Sequence, residues 1–241
     1  MVDNLQAINL KTTLVLLPGL DGTEIFFGPL LRHLPSWIET LVITYPATGN
    51  NDYNALLPIV MGVVRDLESF VILGSSFGGP LALMVASRCQ SKVTGVILSG
   101  SFVTPPRPGL VPFRFAISAP LIALIRAIRR LRLIMPGYAT TDFRRAKAIT
   151  WRRVNASALA SRARSALRVD VRPELRECPA RLMYLTSTQD EVISRGSLNE
   201  ILSIAPQTIV AEIAGPHFSL FTNPVQSAAY IVNFLHPQDK N

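Results

Sequence analysis

Cysteine and histidine are scarce: the 241 residues hold two of the first and three of the second. Cys89 and Cys178 stand far apart without metal-ligand spacing, so free buried thiols in a reducing compartment are expected. No stretch reaches the ~18 uninterrupted apolar residues of a membrane-spanning helix. The nearest run, Leu110 to Ile128, is broken by Pro112, Arg114, Pro120 and Arg126. The start, MVDNLQAINLKT, has no basic segment followed by an apolar one, so no secretory signal is expected. Neither G-x-G-x-x-G nor a G-K-[ST] ending occurs, which weighs against a phosphate-binding loop. No nucleic-acid motif with interleaved aromatics is found either. These absences favour a cytoplasmic protein without a membrane span or a nucleic-acid partner.

Hydrophobic residues make up 49% of the chain, ample for a buried core in one α/β domain with an insertion. The net charge of +8 is unevenly spread. Between Ser101 and Arg181 there are 17 Lys and Arg against 4 Asp and Glu, while the remainder carries 7 against 12. Such asymmetry bears on partners rather than on fold.

Six short apolar runs read as central strands of a parallel sheet: Thr12 to Leu17, Thr40 to Thr44, Phe70 to Leu73, Val93 to Leu98, Arg181 to Thr186 and Thr208 to Ile213. Helical patterns fall between them, at Phe27 to Leu34, Leu56 to Leu67, Pro80 to Cys89, Arg195 to Ile204 and Val225 to Leu235. Strand alternating with helix predicts an α/β doubly wound sheet. Residues 104–171 break the alternation. Leu121, Ile122, Ile125 and Ile128 share one helical side there, and Arg126, Arg129, Arg130 and Arg132 fall largely on another. This predicts a helical, arginine-rich cap inserted into a core formed by residues 1–103 and 172–241.

Gly74-Ser75-Ser76-Phe77-Gly78 matches G-x-S-x-G, between a strand and the helix that Gly79-Pro80 opens. A serine on so sharp a turn needs tiny neighbours, and the two glycines place Ser76 as the nucleophile; Ser75 is out of frame. His217 follows the last strand, a position where sheet-based sites collect side chains. His33 in a surface helix and His236 near the end read as solvated. A histidine acting as base needs an acceptor on its second nitrogen to fix the tautomer. Asp190, after the fifth strand, is the favoured acceptor and Glu191 the competitor. Two N–H donors are needed for a tetrahedral oxyanion. Phe77 is one candidate; Leu20, in the loop Leu17-Pro18-Gly19-Leu20-Asp21-Gly22-Thr23, is the other.

Ser76, Asp190 and His217 in that order, the L-P-G-L-D-G-T loop and the insertion before the acid strand resemble the α/β-hydrolase superfamily over nearly the whole chain. The resemblance implies a mostly parallel eight-stranded sheet and a cap after the strand ending near Leu98. Many relatives begin the first loop with His-Gly, where this chain has Pro18-Gly19. The loop is similar to that of a group of bacterial hydrolases and of the hydrolase-like part of plant phytyl ester synthases. Dehalogenases with an aspartate nucleophile are disfavoured by the serine.

The expected activity is carboxylic ester hydrolysis through an acyl-enzyme, on short to medium acyl chains, with no metal or organic cofactor. Phe102, Phe113 and Trp151 are candidate substrate-binding residues, with Val103, Phe115, Ile117 and Leu121 as further wall candidates. Arg144, Arg145, Arg152, Arg153, Arg162 and Arg164 form a candidate face for an acidic carrier protein. A carrier-linked methyl esterase, thioesterase or acyltransferase is thus an alternative, and a non-catalytic binding module is another. Leu110 to Leu133 is also a candidate amphipathic helix for an anionic membrane surface.

Overall fold

The computed structural model describes residues 11–130 and 140–236, except the side chains of 129 and 130. The Arg129 and Arg130 side chains, Arg132 and the end of the amphipathic run at Leu133 therefore lie outside the described residues, as does the start at 1–10.

Strands β1 (Thr12–Leu17), β2 (Ile38–Val42), β3 (Phe70–Ser75), β4 (Val93–Ser99), β5 (Arg181–Gln189) and β6 (Ile209–Pro216) form one sheet in the order β2-β1-β3-β4-β5-β6. Every pairing is parallel. Among the described residues there are thus six strands, where the resemblance implied eight. The fold is a parallel α/β sheet flanked by helices.

Parallel pairing requires crossovers, and the helices supply them. They are α1 (Gly28–Leu31), α2 (Tyr53–Val64), α3 (Gly78–Arg88), α4 (Ala119–Arg130), α5 (Thr141–Arg153), α6 (Ala156–Ala166), α7 (Arg172–Arg176), α8 (Arg195–Ile204), α9 (Ser219–Thr222) and α10 (Pro224–Leu235). Both sheet faces are covered, which is why the strands read as continuous apolar runs. Leu14 and Leu16 of β1 join one core cluster, with Phe27, Ile231 and Phe234. Their neighbours Val15 and Leu17 join the other, with Leu56, Leu81 and Ile201. Adjacent side chains point to opposite faces and both are buried.

Between β4 and β5 the described residues form a 3₁₀ segment, Pro108–Ala116, and helices α4 to α7. Side-chain caps set the starts of two of these helices. The Thr140 hydroxyl accepts from the Phe143 N–H at 3.2 Å, and the Asn155 side chain accepts from the Ser157 N–H at 3.2 Å. Helix α6 is tied to the loop after β2 by Ser161 Oγ, which accepts from the Asn51 N–H at 3.0 Å, and by Ser165 Oγ, which accepts from the Tyr53 N–H at 3.1 Å. Among the described residues no single helix is long and apolar enough to cross a membrane.

Candidate active site

The chain runs from β1 to β2 on one side and then returns to place β3 on the other. At such a reversal the loops beyond the carboxyl ends of β1 and β3 diverge and leave a crevice. Ser76 stands there with φ of +50°, the one non-glycine residue at positive φ among the described residues. This backbone strain is sustained by its surroundings. The Ser76 N–H donates to the Ser99 carbonyl at 2.8 Å, and Ser101 Oγ donates to the Ser76 carbonyl at 2.8 Å. Ser101 is itself fixed by the buried Tyr184, whose hydroxyl donates to the Ser101 carbonyl at 2.8 Å. Close approach explains the two glycines. A Cβ on Gly74 would lie 2.5 Å from the Gly78 carbonyl oxygen, and one on Gly78 would lie 2.5 Å from the Leu17 carbonyl oxygen.

β5 and β6 deliver the other two polar groups. His217 Nε2 lies 3.0 Å from Ser76 Oγ, and His217 Nδ1 lies 2.8 Å from Asp190 Oδ2. A carboxylate only accepts, so Nδ1 carries the proton and Nε2 is left as an acceptor for the serine hydroxyl. The histidine and aspartate side chains are both more than nine-tenths buried. Burial is the largest influence on the Asp190 carboxyl and would raise its pKa. The His217 hydrogen bond and charge, with the Ile193 and Val192 N–H groups, outweigh it and hold the pKa below the usual carboxylate range. Those two N–H groups both donate to Oδ1 at 2.8 Å. Glu191 also lines the crevice but makes no comparable contact with His217 among the described residues.

Three side chains grip the carbonyls of the two loops that carry Leu20 and Phe77. The Tyr53 hydroxyl donates to the Phe77 carbonyl at 3.0 Å, and the Tyr53 ring stacks on Phe77 at 4.5 Å. The Tyr45 hydroxyl donates to the Pro18 carbonyl at 3.1 Å. Arg162 of α6 is fully buried and donates to the Leu20 carbonyl at 3.1 Å, Asp21 at 2.7 Å and Pro46 at 2.7 Å. Its Nε and Nη2 also reach Asn51 Oδ1, at 3.1 and 2.7 Å. Burial lowers the Arg162 pKa to about 10, opposed by Tyr45 and Asp21, so the group remains a cation at neutral pH. Burial raises the pKa of Asp21, against its hydrogen bonds from Thr23 and the Arg162 charge. Gly22, with φ of +72°, makes room: a Cβ there would meet Arg162 Nη1 at 2.4 Å.

Above these groups lies a cavity of about 580 Å³, lined by Ser76, His217, Leu20 and Phe77 and otherwise largely by apolar side chains. Of the substrate-binding candidates, Phe102 and Trp151 line it, as does Ile117. Phe113 does not: it is 66% exposed and stands outside the cavity, as do Phe115 and Leu121. Their apolar character and place in the insertion made them candidates without showing which side faces the sheet. Val103 is buried in the core instead. Phe26, Phe218 and Phe221 line the cavity without having been singled out, and Phe26 packs on Phe218 at 5.0 Å. They come from the segments after β1 and β6, Phe221 from α9 itself, and nothing in their local sequence marks them as facing a cavity.

The expected face of six cap arginines is smaller than the sequence suggested. Arg162 is buried among carbonyls, and Arg164 donates to the Ile117 carbonyl at 2.7 Å. Arg144, Arg145, Arg152 and Arg153 are exposed on α5, and Arg153 pairs with Glu24 at 2.5 Å. His33 is exposed and bonded to the Pro29 carbonyl, and His236 packs on Trp37; neither is bonded to Ser76. Cys178 is buried and Cys89 half-buried, both as free thiols. No group of three or more metal-ligating side chains occurs among the described residues.

Comparison with known proteins agrees with this architecture. Residues 14–229 match the alpha/beta hydrolase family. The chloroplastic phytyl ester synthase 1 of Arabidopsis thaliana is 32% identical over 109 residues, which are 42% of this chain and 16% of that protein. The chain thus spans well under a quarter of the length of that curated relative. The enol-lactonase from Burkholderia xenovorans superposes with a TM-score of 0.78 at 17% identity, over 93% of this chain and 91% of that one. A structure from a study of carboxylesterases of the thaumarchaeon Nitrososphaera gargenis gives 0.73 at 16% identity, over 94% and 90%. At such identities the likeness concerns the fold.

Proposed function

The chain belongs to the alpha/beta hydrolase family, and from that premise we propose that it is a serine-dependent carboxylic ester hydrolase. The observation that carries this reading is the continuous hydrogen-bonded series from Ser76 through His217 to Asp190. Ser76 Oγ attacks the ester carbonyl while His217 Nε2 takes its proton. The resulting oxyanion is met by the backbone N–H groups of Leu20 and Phe77, neither of which donates elsewhere among the described residues. Collapse expels the alcohol, which leaves with the proton from His217, and an acyl ester remains on Ser76. Water then attacks with His217 again as base, and the carboxylic acid departs. Asp190 holds the imidazole in the required tautomer and balances its charge when protonated.

The apolar cavity, of a size usual for a small ligand, supports short to medium acyl chains. A second use of the same intermediate is supported by the plant relative, an ester synthase. In that case an alcohol replaces water in the second half-reaction and the outcome is acyl transfer. Turnover of p-nitrophenyl esters of increasing acyl length tests the first reading, with Ser76→Ala as the control. The expected result is turnover with a chain-length optimum, reduced about 10⁶-fold in the variant. Equal turnover in the variant, or none in well-folded wild-type protein, would reject it. Added long-chain alcohol that diverts product from acid to ester would support the transfer route.

A further inference from the structure

Six of the thirteen exposed large apolar side chains among the described residues fall within one short stretch: Leu110, Phe113, Phe115, Leu121, Leu124 and Ile125. They occupy the 3₁₀ segment Pro108–Ala116 and helix α4; Leu110 also lines the cavity over Ser76, and the other five stand outside it. Phe113 and Phe115 are 66% and 69% exposed, and Leu124 is 57% exposed. A concentration of this kind marks an interaction surface, whereas scattered apolar residues do not. Inward-facing residues of the same stretch, Ile117 and Arg126, line the cavity over Ser76.

Charge narrows the choice of partner. No Asp or Glu lies between Glu68 and Asp142, so the patch carries no acidic side chain of its own. Its cations stand close to the exposed rings. The Arg114 guanidinium lies 4.3 Å from the Phe115 ring centre, and that of Arg168 lies 5.7 Å from it. Exposed aromatics and leucines rimmed by arginine suit the boundary between anionic headgroups and acyl chains. A second copy of the chain fits less well. A two-fold contact sets the same patch against itself, and the arginines would then face arginines. Spanning the bilayer fits less well again. The 3₁₀ segment and α4 together are apolar enough for a span, but they meet at a bend of 108°.

We infer that the outer face of Pro108–Ala116 and α4 docks on an anionic lipid surface. The docking is independent of the proposed chemistry. If that chemistry holds, the docked segment also carries Ile117 and Arg126, which line the cavity over Ser76.

Sedimentation of the full chain with vesicles tests this directly. One set contains equal parts phosphatidylglycerol and phosphatidylcholine, and the other phosphatidylcholine alone. The protein is expected to follow the anionic vesicles and to be released as salt is raised. Phe113→Asp combined with Phe115→Asp is expected to weaken partition at least roughly tenfold. Both residues lie outside the cavity, so the thermal midpoint and any turnover of a soluble ester should be unchanged. Wild-type protein that stays in solution with anionic vesicles would overturn the inference. So would equal partition of the double variant. A wild-type dimer in solution that becomes monomeric in the double variant would assign the patch to a second copy instead.

Discussion

Helices α4 and α6 are drawn from the same arginine-rich insertion, yet they place charge and hydrocarbon on opposite sides of the surface. Helix α6 buries Arg162 completely, while α4 leaves Leu121, Leu124 and Ile125 exposed. Both carry arginine, and what decides whether it is buried is the set of partners across the interface. Opposite α6 stand the carbonyls of Leu20, Asp21 and Pro46 and the Asn51 side chain, so a guanidinium finds acceptors in several directions. A buried cation without such partners would be very costly. The outer face of α4 meets no apolar partner among the described residues, and its leucines remain at the surface. The proposed catalytic machinery thus rests on the half of the insertion that looked least suited to burial.

The contrast breaks most readily at Arg162. Arg162→Met removes the cation and strands several buried acceptors, so a loss of about 3–5 kcal/mol in urea-unfolding stability is expected. Measured where the variant is still folded, kcat should fall roughly 10²-fold with KM little changed, because the loop carrying the Leu20 N–H loses its support. Arg162→Lys retains the charge but not the planar set of donors, so it should recover stability more fully than kcat. If either variant kept wild-type kcat, Arg162 would be a packing residue with no part in positioning the loop.

Two aspartates sharpen the contrast by pH. Asp190 has its pKa depressed in the fold, so its contribution to stability is present above the unfolded value of about 3.9 and is lost as pH falls through the folded value. Asp21 has its pKa raised by burial, so its ionisation opposes folding as pH rises above the unfolded value. Urea midpoints followed from neutral pH down to about 3 should therefore fall less steeply in Asp190→Asn than in wild type. In Asp21→Asn they should fall more steeply. Identical slopes in all three proteins would remove the electrostatic part of this account. Smaller still, Arg153→Ala breaks an exposed pair with Glu24 and should cost under about 1 kcal/mol. Leu124→Gln on α4 should change stability by no more than about 0.5 kcal/mol and leave soluble-ester turnover unaltered.

Much of the sheet was legible in the sequence because its strands are buried on both faces. β1 and the start of β5 fall where the apolar runs place them, and α8 spans the residues its periodicity predicts. β2 is displaced, to Ile38–Val42 rather than Thr40 to Thr44. It is an edge strand, partly exposed, and its pairing with β1 decides its limits more than its own hydropathy. Ser76, Asp190 and His217 stood out as candidates because each follows a strand in a chemically distinctive setting, and the fold brings the three side chains together. Arg162 could not: its partners are mostly backbone carbonyls more than a hundred positions away, and carbonyls carry no mark in a sequence. Phe113 lies outside the cavity although it is apolar and within the insertion, because neither property says what packs against it.

The most direct test of the central claim is labelling with a fluorophosphonate, followed by peptide mapping. One covalent adduct on Ser76 is expected, absent in Ser76→Ala and formed far more slowly in His217→Ala. Folded wild-type protein that takes no label, or takes it on Ser75 or another residue, would contradict the assignment of Ser76 as the activated nucleophile.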